Sequence, residues 1–153
     1  MRALEPWVLA PLETFLAESS ARLILLMTTS GQVIAQHGFG RSFEVMTAAA
    51  LGSAIVASTE ELARLMGSPR FGALVHGGNR HSCMLSAFGT PRGRWIALVV
   101  FGPETSVGIV QLFFDQMVEE LVSAAPREQP SPPLMAENFE HELNTSLKEL
   151  FGR

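Results

Sequence analysis

Cysteine is nearly absent: Cys83 is the only one in 153 residues. An intrachain disulfide and any multi-cysteine zinc or iron–sulfur cage are thereby excluded. A lone thiol is typical of a reducing compartment, so a cytosolic protein is expected. Lysine and aspartate are equally scarce, with Lys148 and Asp115 each alone of its kind. A GxxxxGK[ST] phosphate loop, or a metal site built from several aspartates, cannot be assembled from this chain. Positive charge is short as well. Eleven Lys and Arg stand against 15 Asp and Glu, a formal net charge of −4 and the wrong sign for neutralising nucleic-acid phosphates. No apolar run reaches the ~18 residues needed to span a bilayer. Met1-Arg2-Ala3-Leu4-Glu5-Pro6 has neither the apolar core nor the cleavage site of a signal peptide.

What is present suits one globular domain. Hydrophobic residues make up 47% and charged residues 17%, and a chain of this length buries roughly two thirds of its unfolded surface without staples. Trp7, Val8, Pro11, Leu12, Phe15 and Leu16 recur at helical spacing with Glu13 and Glu18 opposite, which predicts an amphipathic first helix. Arg22 to Met27 and Val33 to Ala35, separated by Thr29-Ser30-Gly31-Gln32, read as a β-hairpin. Beyond Gly38-Phe39-Gly40, Ser42 is placed as an N-cap. A proline-free stretch from Phe43 to Met66, closed by Gly67 and Pro69, then predicts a long central helix.

Three further strands follow at hairpin spacing, Phe71 to His76, Arg80 to Phe88 and Arg94 to Phe101, and form a meander. Thr105 to Ala124 predicts another helix, stopped at Pro126. The expected order is α-β-β-α-β-β-β-α over residues 1–125, an α/β fold of the α+β kind. Its five-stranded antiparallel sheet is covered by helices on both faces. Residues 126–133 hold four prolines and are expected to form a semi-rigid linker. In the remaining 134–153, Phe139, Leu143, Leu147 and Leu150 make one apolar stripe of an amphipathic helix.

The central helix carries two apolar faces. Leu51, Ile55, Ser58, Leu62 and Leu65 form one; Val45, Ala49, Gly52, Val56 and Ala63 form the other. One face suffices for a core. The small side chains of the second permit close approach of another helix, so that face is read as a dimer or partner surface. The alternative is a helix wholly buried within its own chain.

Candidate chemistry is thin. With Gly78-Asn79 as a two-residue turn, His76 would lie opposite His81 and share a face with Cys83, a constellation that zinc accepts but for which no fourth ligand is evident; Gly77-Gly78 is an equal choice of turn, and one residue of slippage sends the side chains to different faces. A Cys83/His81 dyad fails because i and i+2 on a strand lie about 7 Å apart. Gly38-Phe39-Gly40 lacks the third glycine of a dinucleotide fingerprint. Arg41, Arg70, Arg80, Arg92 and Arg94 lie in or beside loops, where one could serve as a finger for phosphoryl transfer on a partner nucleotide; each alone reads more simply as a solvated loop residue. No metal, cofactor or catalytic residue is expected.

The element order resembles the Roadblock family over residues 7–124. So do the segment Ala63-Arg64-Leu65-Met66-Gly67-Ser68-Pro69-Arg70-Phe71 leading to Val75-His76, and the glycine-turn strand pair after it. Within that family the small-residue helix, the strand Ile96 to Phe101 running into Gly102-Pro103-Glu104-Thr105-Ser106-Val107-Gly108, and the helical tail are most similar to the MglB-like branch. The resemblance implies a homodimer with paired central helices and third strands joined edge to edge. It further implies a platform for a Ras-like GTPase of the MglA type, whose hydrolysis is stimulated without an arginine from the activator. By position on the matching helix it implies a contact stripe of Ala50, Ser53, Ala57, Glu60 and Arg64. It also implies a tail touching the GTPase through Phe139, Leu143, Leu147 and Leu150, with docking back on its own dimer as the alternative. The family also contains adaptors that bind without activating, so a scaffold is the second functional expectation, and a metal or thiol enzyme on His76, His81 and Cys83 the third.

Overall fold

The structure is a computed structural model that describes residues 6–38, 44–69, 72–126 and 143–150. The chain runs α1 (Pro6–Ser19), β1 (Leu23–Thr28), β2 (Val33–Gly38), α2 (Val45–Leu65), β3 (Leu74–His76), β4 (Ser82–Thr90), β5 (Gly93–Phe101) and α3 (Val107–Ala124), the order expected from the hydrophobic pattern. Residues 143–150 are also helical. Arg41, Ser42, Phe43, Arg70, Phe71, Phe139 and the linker beyond Pro126 lie outside the described residues.

Several boundaries differ from expectation: β2 runs on to Gly38, and β4 spans Ser82–Thr90 instead of Arg80 to Phe88. Helix α2 takes Glu44, not Ser42, as its N-cap residue, with extended backbone (φ −77°, ψ 92°) and no side-chain cap bond. Strand β3 is three residues long because Gly72 and Ala73 do not join the ladder. At α3 the cap is the favoured kind, Ser106 Oγ accepting the Ile109 N–H at 3.3 Å.

The five strands lie in the order β2-β1-β5-β4-β3, and every neighbouring pair is antiparallel. Because successive strand residues point to opposite faces, the sheet sorts its side chains into two cores. Leu25, Met27, Leu85, Ile96 and Leu98 face α2. Ile24, Leu26, Met84, Ala97, Val99 and Phe101 face the other way, onto Leu12 and Phe15 of α1 and Val110, Phe114, Met117 and Leu121 of α3. On that side Phe114 meets Phe15 and Phe88 edge-on, at 6.3 and 5.8 Å between centroids, and Trp7 stacks on Trp95 at 5.8 Å.

One end of the sheet is tied by Arg22. Its guanidinium donates to both Glu104 carboxylate oxygens (2.8 and 3.0 Å), to the Arg80 carbonyl (2.9 Å) and to His81 Nδ1 (2.6 Å). Three chain segments thus converge on one side chain. Gly102 makes room for it: a Cβ there would overlap the guanidinium and the Glu104 carboxylate. The hydrogen bonds from Arg22 hold the Glu104 carboxyl below its ordinary value of 4.5. A lowered native pKa contributes stability that is present above the unfolded value and is lost as pH falls through the native one. Thermal melts of Arg22→Met against the parent chain are therefore expected to differ at pH 6–7, roughly, and to converge as both are acidified below about pH 4. A constant difference across that range would remove Glu104 from the linkage.

Candidate functional site

The face by which α2 meets the sheet is its small one. Ala49, Gly52, Ser53, Val56 and Ala63 are buried, and Val45 packs beside them. At Gly52 the helix approaches so closely that a Cβ would lie 3.2 Å from Met27 Sδ and 3.3 Å from Leu85 Cδ2. The large side chains consequently point outward: Met46 is 81% exposed, Leu51 60%, Leu62 51% and Leu65 82%.

This largely exchanges the two faces expected from the sequence, Ile55 alone of the expected core face packing against the sheet-side core. Val45, Ala49, Gly52, Val56 and Ala63, read there as a dimer surface, lie on the chain's own sheet. Leu51, Leu62 and Leu65, read as core, form the outer surface. The reason is steric: a helix over a sheet lined by Met27, Leu85 and Leu98 nests closest through small residues.

The stripe Ala50, Ser53, Ala57, Glu60 and Arg64 divides. Ala50, Ala57 and Arg64 are exposed, Arg64 pairing with Glu61 one turn back at 2.6 Å. Ser53 is buried, its Oγ donating to the Ala50 carbonyl at 2.9 Å. Glu60 is half-buried and ion-paired with Arg94 at the start of β5. These two positions fix the flank of α2 rather than face a partner. Outward, α2 presents an apolar sector of Leu51, Leu62 and Leu65 and, about a third of a turn around, the sector of Ala50, Ala57 and Arg64.

The histidine and cysteine positions separate. His76 lies across the ladder from Cys83, not from His81, because residues 77–81 all belong to the β3–β4 connection. His81 is taken by Arg22, and Cys83, half-buried, packs against the core on the α2 side. Among the described residues no group of three or more His, Cys, Asp or Glu could hold a metal ion. The arginines are likewise placed: Arg80 lends its carbonyl to Arg22, Arg92 sits 5.9 Å over the Trp7 ring, and Arg94 holds Glu60. No described helix is long and apolar enough to cross a membrane.

The sequence matches no protein-family model and no curated protein. Solved structures do match. A Roadblock/LC7 domain from Streptomyces avermitilis superposes with a TM-score of 0.64 at 15% identity, over 78% of this chain and 95% of that one. The gliding protein MglB of Thermus thermophilus superposes with a TM-score of 0.71 at 28% identity, over 82% of this chain and 93% of that one. The chain has the fold of the MglB-like Roadblock structures. Myxococcus xanthus MglB shares it at a TM-score of 0.71 and 24% identity, over 77% of this chain and 94% of that one. In this fold β3 lies at the margin of the sheet and, among the described residues, pairs with β4 alone, and α2 turns Met46, Leu51, Leu62 and Leu65 away from the sheet.

Proposed function

We propose that this chain is a homodimeric regulator that binds a small Ras-like GTPase of the MglA type and stimulates GTP hydrolysis in a process such as cell polarity or motility. The observation that carries the reading is the outer face of α2, which sets large exposed leucines beside a sector of small residues within a fold matched almost end to end by MglB. The leucine sector suits a second copy of the chain. Ala50 and Ala57, small enough for close backbone approach, suit the GTPase, with Arg64 at the end of that sector.

The chain then acts by differential binding. It grips the hydrolysis-competent conformation of the GTPase more tightly than the resting one, and the difference lowers the barrier. A thousandfold acceleration corresponds to about 4 kcal/mol.

Single-turnover GTP hydrolysis by a Ras-like GTPase from the same genome is the test. Acceleration by the intact chain is expected, as is its loss in Ala57→Arg without change in the chain's own gel-filtration volume. A stable complex with unchanged hydrolysis would make the protein an adaptor, and no complex would overturn the reading.

A further inference from the structure

On the face of the sheet away from α2, helices α1 and α3 leave a solvent-open groove of about 420 Å³. Trp7, Ala10 and Thr14 form one wall, and Glu120, Ser123 and Ala124 the other. Ala10, Ser123 and Ala124 are small, so a third helix can lie close against both walls. From Trp7 to Thr14 the wall runs two turns of helix, roughly 10 Å.

The same chain carries a further helical segment at residues 143–150. Leu143, Leu147 and Leu150 fall on it at i, i+4 and i+7 and are all exposed. They make an apolar stripe that covers at least the two turns of the wall, roughly 10 Å. A short helix is marginal in water on its own hydrogen bonds and gains its stability by packing an apolar side.

The tether brings the helix to this groove. Ser123 and Ala124 line it, and the chain leaves α3 directly after them through Ala125 and Pro126. Residues 127–142, stretched out, reach on the order of 50 Å. They can therefore turn the helix back over the groove, at the millimolar effective concentration that short linkers provide.

We infer that the groove between α1 and α3 is the docking site of the chain's own C-terminal helix, with Leu143, Leu147 and Leu150 seated between Trp7, Ala10 and Ser123. The assignment is independent of whether the partner at α2 is a GTPase.

Hydrogen exchange on the intact chain tests it, read at the amides of residues 143–150. Ala10→Arg and, separately, Ser123→Arg fill the groove from exposed positions on opposite walls. Each is expected to speed exchange in 143–150 by about tenfold or more while leaving β1 and β5 unchanged. Leu147→Glu is expected to do the same from the other side and to loosen 120–124. Tail exchange that is already fast in the parent chain, or unmoved by both groove variants, overturns the inference. So does tail protection that disappears on dilution, which would seat the helix on a second copy.

Discussion

Phe114→Ala is expected to cost about 3–5 kcal/mol of folding free energy, the largest loss from any single truncation considered. Phe114 stands on α3, is buried, and meets Phe15 of α1 and Phe88 of β4 edge-on, so its ring joins both helices of that layer to the sheet. Removing it deletes transfer free energy and leaves a cavity among three elements that cannot all move inward. The edge-to-face pairs add about 0.5–1.5 kcal/mol each beyond area. Chemical denaturation, with the m-value checked for constancy, measures it. A loss below about 1 kcal/mol would mean the α1–α3 layer repacks freely, contrary to close packing.

If two copies pair through the outer face of α2 as proposed, Leu51→Glu combined with Leu62→Glu is expected to raise the Kd of self-association by at least about 100-fold while leaving the fold intact. The basis is burial: two leucines removed from water contribute roughly 1.5–3 kcal/mol each, and 1.4 kcal/mol is a factor of ten. Both side chains are more than half exposed in the single chain, so their replacement leaves the two cores untouched. Sedimentation equilibrium gives Kd, and circular dichroism verifies the fold. Val56→Glu makes the contrast: on the inner side of α2, in contact with the core of Leu25, Met27 and Leu98, it is expected to unfold the chain instead. If the leucine pair leaves the dimer unchanged, the copies meet elsewhere, and the free margin of β3 is the next surface to examine.

The two α2 variants mark the point where sequence reading and structure part. Element order was legible because it depends on period and punctuation. The short apolar run of Arg94 to Phe101, rich in β-formers and bounded by Gly93 and Gly102, reads as a buried strand, and Pro126 ends α3. Which side of α2 is inner was not. Both sides are apolar, and periodicity registers hydrophobicity without registering volume. Gly52 held the decisive hint, since a glycine inside a long helix that has no kink to make commonly marks the closest approach to something packed against it. The histidine register failed for a different reason. The glycine turn offered two placements, and five connecting residues cannot be told from two without the ladder. Glu60 escaped because its partner, Arg94, is a matter of tertiary geometry, and Ser53 because its burial follows from the same undecided choice of inner side. The Arg22–Glu104 pair, 82 positions apart in sequence, had no local signature at all.

The order of strands also governs how the molecule assembles. β5 lies at the centre of the sheet beside β1, yet Thr28 and Trp95, the paired residues of the two strands nearest in sequence, are on the order of 70 positions apart. Hairpin β1–β2 and meander β3–β4–β5 can each form locally, but the seam between them closes only when α2, the connector, folds back across both. The entropy of that long loop falls due before its contacts give anything in return. The seam is therefore the slow step of folding, and α2 spans both sides of it. Any partner that clamps the outer face of α2 binds the element on which the two halves were joined, and so stiffens the whole sheet rather than one edge of it.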